Sequence, residues 1–90
     1  MEEKILTRHP KGKNGVNIIR SKYETLRGII FKILKGKELT QIQVMELVNE
    51  TLKGKFQGSI SKYAKATLLD LEARNIIKRI YSAPQKYALN

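Results

Sequence analysis

Ninety residues form one domain with one modest core, and they enclose too little volume for a deep catalytic cleft between lobes. An apolar content of 41% suffices for that core, but the longest unbroken apolar runs are a few residues, far short of the ~20 that span a membrane. Eighteen Lys and Arg against eight Asp and Glu give a net charge of +10, and the absence of cysteine excludes disulfides and thiolate metal sites.

The chain starts with an acidic Met1-Glu2-Glu3 and lacks the apolar stretch that follows the basic start of a secretory signal, so a cytoplasmic location is expected. Pro10, Gly12, Asn14 and Gly15 lie among Arg8, Lys11 and Lys13 without a helical or alternating period, which predicts a basic N-terminal arm over residues 1–20. Within it Val16-Asn17-Ile18 alternates, a pattern suited to an extended piece that docks Val16 and Ile18 on the core. Such an arm either enters a minor groove of DNA or stays solvated.

Ser21 and Glu24 make an S-x-x-E capping box, the expected start of a first helix. Tyr23, Leu26, Ile30, Ile33 and Leu34 recur at helical spacing, Ile29 and Phe31 widen the stripe, and Gly36 supplies a left-handed stop. An uncovered Phe31 would be a candidate dimer contact. Thr40 and Gln43 form a second capping box, opening a scaffold helix with Met45, Val48 and Leu52 on one face and Ile42, Val44 and Leu47 beside them. That helix is expected to end near Lys53 and Gly54. In the connection that follows, Phe56 is expected to plug the core, while Lys53 and Lys55 either touch phosphates or remain solvated.

Ser59 is the expected cap of a third helix running to about Arg74, with Asn75 as its left-handed stop. Ile60, Ala64, Leu68 and Leu71 make its buried stripe, which leaves Ser61, Lys62, Lys65 and Ala66 toward solvent. Tyr63 is expected beside the core with its hydroxyl at the surface, and Asp70 and Glu72 would repel DNA near the C-terminal half. Ile76 to Tyr81 then alternates, Tyr87 and Leu89 repeat the pattern, and Ser82-Ala83-Pro84-Gln85 turns between them.

Helix, helix, helix, strand, strand, with a short strand at Leu39 against the hairpin, predicts a mostly α winged helix-turn-helix over residues 21–90: three helices plus a two- or three-stranded wing. The positive charge is spread evenly, +3 over residues 1–20, +3 over 21–58 and +4 over 59–90. Every segment therefore attracts polyanions, whose condensed counterions are released on binding. Double-stranded DNA is the expected partner of what would be a transcription regulator. Ser59, Ser61, Lys62 and Lys65 would lie in or over the major groove, Lys78, Arg79 and Lys86 on flanking phosphates, and Arg8, Lys11 and Lys13 along the arm. The outward face of the third helix has no Arg, Asn or Gln for bidentate base recognition, so phosphate positioning with weak sequence discrimination is expected. Regulators that read palindromes dimerise, which leaves a homodimer open. The rival expectation is a protein-interaction module built on an apolar patch around Phe31 or Phe56, with the charge serving solubility. RNA fits less well, because no aromatic sheet platform is present for stacked bases.

The runs Val16-Asn17-Ile18, Lys22-Tyr23, Gln57-Gly58-Ser59-Ile60, Leu69-Asp70-Leu71-Glu72-Ala73-Arg74 and Ser82-Ala83-Pro84-Gln85-Lys86 resemble a family of small uncharacterised prokaryotic proteins with a winged-helix-like fold. The stretch from Leu69 to Arg79 is also similar to the end of the third helix and first wing strand of many winged regulators, where it is a packing motif. What the resemblance implies is a fold, not an activity, since winged domains serve as protein-binding modules too. Catalysis is not expected. His9, the single histidine, sits beside Pro10 as a solvated side chain, and the six glycines do not fall at phosphate-loop spacing. Neither a structural zinc site nor any cofactor is anticipated.

Overall fold

The computed structural model describes residues 3–13 and 15–90; Met1, Glu2 and Asn14, all parts of the expected arm, lie outside the described residues. The rest of that segment is organised. Strand β1 (Lys4–Leu6) pairs antiparallel with β2 (Asn17–Ile19), Ile5 facing Ile18, and the alternation sends Ile18 into the core. The mouth of this hairpin is closed by Thr7, whose N–H donates to the Val16 carbonyl at 3.0 Å while its hydroxyl accepts from the Val16 N–H at 2.9 Å. Glycine is required at position 15 because a Cβ there would run into the Thr7 carbonyl.

Strand β2 runs without a break into α1 (Arg20–Leu34), and for that reason the Ser21–Glu24 capping box does not form. The helix begins at Arg20, whose N–H donates to the Glu3 carbonyl across the hairpin at 2.8 Å. Ser21 is thereby inside the first turn, and Glu24 pairs with the Arg20 guanidinium at 3.2 Å. Tyr23, Leu26, Ile30 and Leu34 are buried one per turn, and Gly36 stops the helix with φ 71°. This helix is the centre of the molecule, packed on both other helices and on both hairpins.

The Thr40 box is present at the start of α2 (Gln41–Leu52): Thr40 Oγ1 accepts from the Gln43 N–H at 3.2 Å, and Gln43 Oε1 accepts from the Thr40 N–H at 2.9 Å. The buried row is rotated from the expected one. Val44, Val48 and Leu52, spaced four apart, point inward, which leaves Met45 half-buried and Ile42 70% exposed. Gly58, at φ 101°, carries the chain past the Tyr63 ring into α3 (Ile60–Ala73). Ser59 caps that helix, its Oγ accepting from the Lys62 N–H at 3.2 Å, and Asn75 ends it in the left-handed region at φ 61°.

Strands β3 (Ile77–Ile80) and β4 (Lys86–Leu89) form the second hairpin, with Arg79 opposite Tyr87 and a cis Ala83–Pro84 bond in the connection. Leu39 bridges Tyr87 through two backbone hydrogen bonds of 3.0 and 2.7 Å. The result is a mixed fold of three helices and two small antiparallel hairpins. No described helix is long and apolar enough to cross a membrane.

Candidate nucleic-acid interface

With Ala64, Leu68 and Leu71 of α3 fully buried, its opposite side presents Ser61, Lys62 and Lys65 to solvent. Neither lysine meets a carboxylate among the described residues. The Lys62 ammonium lies 5.5 Å from the Tyr63 ring centre. Tyr63 in turn packs at 6.2 Å on Phe56, and Lys22 of α1 stands 5.2 Å above the Phe56 ring while donating to the Gln57 carbonyl at 2.7 Å. Phe56 is therefore half-buried at the core's edge under an ammonium and does not plug its centre.

The connection between β1 and β2 approaches the same side of α3. Thr7, Arg8, His9, Gly15 and Val16 line an open cavity of about 220 Å³ together with Lys62, Lys65, Ala66 and Leu69. His9 is half-buried in this wall, its Nδ1 accepting from the Lys11 N–H at 3.1 Å, so the expected solvated histidine is replaced by one that shapes a turn. Lys11 and Lys13 are exposed on the connection, and Lys13 lines an adjoining depression with Arg8, His9 and Ala73. What draws the connection here is an outward row of Ala66, Leu69 and Ala73, all half-buried, at helical spacings of three and four. That row is visible in the sequence and is the signal that something covers this face.

Asp70 anchors the connection. It is fully buried, and its carboxylate accepts from the Arg8 N–H at 2.8 Å, the Tyr23 hydroxyl at 2.5 Å and Arg74 Nε at 2.9 and 3.0 Å. The expectation that Asp70 faces and repels DNA is thus corrected: its charge is spent inside the fold. Burial, followed by the bond to Asp70 and its charge, pushes the Tyr23 hydroxyl up to about 12. Glu72 is also engaged, by Arg79 Nη2 at 2.8 Å.

Arg79 is therefore engaged inside the fold and departs from its expected place on flanking phosphates. Strand register sets it against Tyr87, 5.1 Å from the ring centre, on the side of buried Ile77. Burial opposes its charge, but the Glu72 hydrogen bond raises its pKa overall. Lys78 is exposed on the opposite side of the hairpin and Lys86 is half-buried. Of the expected contact residues, Arg8, Lys62 and Lys65 are brought around one cavity, with Lys11 and Lys13 on the same connection. Ser59 and Ser61 stand at the start of α3, their hydroxyls taken by the Lys62 N–H and by Asn49 Nδ2 at 3.4 Å. Lys78 and Lys86 belong to a separate hairpin.

The flank of α3 beyond Ser61 has the opposite character. Ile42, Met45 and Ile60 floor a groove that Glu46, Glu50 and Lys53 also line, two carboxylates to one ammonium, and neither glutamate makes a salt bridge among the described residues. Among the described residues no group of three or more His, Asp or Glu could hold a metal ion.

Fold and face together define a small basic α/β domain with a cationic helix ridge. The chain belongs to a family described as a family of unknown function, DUF6958, whose model matches residues 4–87. No curated protein and no solved structure matches the chain.

Proposed function

We propose that this domain is a winged helix-turn-helix that binds duplex DNA chiefly through backbone phosphates, with weak sequence discrimination, as a transcription regulator. The observation that carries this reading is the ridge of Lys62 and Lys65 on α3, neither of which pairs with a carboxylate among the described residues, continued by Arg8 from the N-terminal connection. Three helices followed by a hairpin, with Leu39 bridging Tyr87 as a short third strand of the wing, support the fold assignment. Exposed Ser61, small beside Lys62, leaves room at the start of α3 for close approach to a groove, and each phosphate neutralised releases counterions. The wing contributes Lys78 and Lys86, whereas Arg79 is committed to Glu72. Phe31, 37% exposed on α1, is the surface through which two copies would pair.

The test is titration of a fluorescent random-sequence duplex at two salt concentrations. Wild-type affinity should fall with salt. The double variant Lys62→Glu/Lys65→Glu should bind at least ~10-fold more weakly at low salt and flatten the salt slope by about 2, one unit for each phosphate that is no longer neutralised. Equal binding by wild type and variant would end the docking model.

A second reading, a protein-interaction module, is favoured by one feature: the groove holding 70%-exposed Ile42, with Met45, Ile60, and Glu46 and Glu50, which make no salt bridge among the described residues. Such a groove suits an apolar, basic segment and not phosphate. Absence of duplex binding by the wild type at low salt would leave this reading standing.

A further inference from the structure

The cavity between the N-terminal connection and α3 has more than a flat phosphate-binding ridge requires. Its walls include the apolar side chains of Val16, Ala66 and Leu69 and the imidazole of His9, while Arg8, Lys62 and Lys65 supply the positive charge. At about 220 Å³ it is smaller than the ~300–1,000 Å³ of sites for drug-sized ligands, and suits one planar ring system. It is also preformed. The Arg8 N–H is fixed on buried Asp70, and the Thr7–Val16 pair closes the hairpin mouth beside it.

A ligand matched to such walls has an apolar-faced ring and an anionic group a short distance away. We propose that the cavity binds a nucleotide, base against Ala66 and Leu69 beside the His9 ring, phosphate toward Arg8, Lys62 and Lys65. The source is either a free nucleoside monophosphate or an unpaired nucleotide at a strand end. The site shares Lys62 and Lys65 with the duplex face and rests on that reading of the ridge. Bases stack on histidine as on other planar side chains, and an arginine fork offers a phosphate two parallel hydrogen bonds. Inorganic phosphate would meet the cations and leave the apolar walls unfilled, and a nucleoside would do the reverse. Only the combination uses both.

The experiment is calorimetric titration of the whole chain with dAMP, inorganic phosphate and deoxyadenosine, alongside a 5′-phosphorylated duplex with one unpaired terminal nucleotide and its blunt counterpart. Either dAMP should bind at least ~10-fold tighter than phosphate or deoxyadenosine, or the overhang should gain as much over the blunt end, the factor that 1.4 kcal/mol supplies. The first result names a free nucleotide and the second a strand end. Ala66→Leu, which fills the cavity floor, should erase the gain and leave blunt-duplex binding unchanged. If that variant unfolds the connection, Leu69→Ala serves instead, weakening nucleotide binding but not phosphate binding. The inference fails if dAMP matches inorganic phosphate and the overhang matches the blunt end, or if neither substitution alters the gain. Blunt-duplex binding that persists without nucleotide binding sinks this inference alone. Nucleotide binding without duplex binding sinks only the duplex reading.

Discussion

A buried carboxylate is costly unless charge-assisted hydrogen bonds surround it, and Asp70 receives them from the N-terminal connection, from α1 and from its own helix through Arg8, Tyr23 and Arg74. Three chain segments are thereby tied at one atom group, so loss of any donor is felt beyond the bond itself. Tyr23→Phe should cost about 1–3 kcal/mol near neutral pH, because a buried acceptor loses its partner. The pH dependence follows from the tyrosine. Its pKa is raised from 10.0 to about 12, so the folded state holds the phenolic proton more tightly than the unfolded one. That contribution is whole below pH 10.0 and drains away as pH rises toward about 12. Urea unfolding of wild type and Tyr23→Phe across this window should show the stability gap narrowing as pH rises. A constant gap would show that ionisation of Tyr23 is not coupled to the fold.

Two segments share the same capping-box pattern and behave differently. Thr40→Ala removes a reciprocal box and should cost about 1 kcal/mol in chemical denaturation, whereas Ser21→Ala should stay within about 0.5 kcal/mol. A comparable loss at Ser21 would mean that the first turn of α1 depends on its hydroxyl after all. The contrast shows what local sequence carries. The three helices, the Ser59 cap, the Asn75 stop, the second hairpin and the Leu39 contact are legible because each rests on periodicity or a turn residue within a few positions. What precedes Ser21 is not local: β2 enters α1 directly because Glu3, 17 residues back, accepts from Arg20 and its carboxylate pairs with the guanidinium. The alternation at Val16-Asn17-Ile18 marks one extended piece, but the three residues Lys4–Leu6 carry no pattern that marks its partner, so in the sequence the hairpin has the look of an arm. Asp70 and Arg79 resemble surface charges since their partners are far away or on another element, Arg8 at a separation of 62, Tyr23 at 47, and Glu72 across the helix–strand junction. Of the candidate site, the lysine ridge follows from the helical wheel of α3. The cavity depends on where the β1–β2 connection settles, hinted at only by the Ala66, Leu69 and Ala73 row.

At the scale of the whole molecule, cations outnumber the carboxylates available to them. The salt bridges of the described residues take up Arg20, Arg74 and Arg79, and no lysine takes part in one. Two of these bridges, from Arg20 to Glu3 and Glu24, are largely exposed and add little stability. A net charge of +10 on 90 residues must then make self-repulsion a destabilising force that salt relieves. Raising ionic strength from ~0.01 M to ~0.1 M shortens the screening length from ~30 Å to ~10 Å. The thermal midpoint of the free protein should accordingly rise with salt, opposite to a fold held by surface ion pairs. With duplex DNA in excess the midpoint should start higher, by the mass-action gain of a ligand that binds only the folded state, and that gain should shrink as salt weakens binding. The two melting curves should converge with increasing salt. A free-protein midpoint that falls as salt is added would mean that attractive pairs outweigh the uncompensated lysines, and the charge argument for a polyanion partner would fall with it.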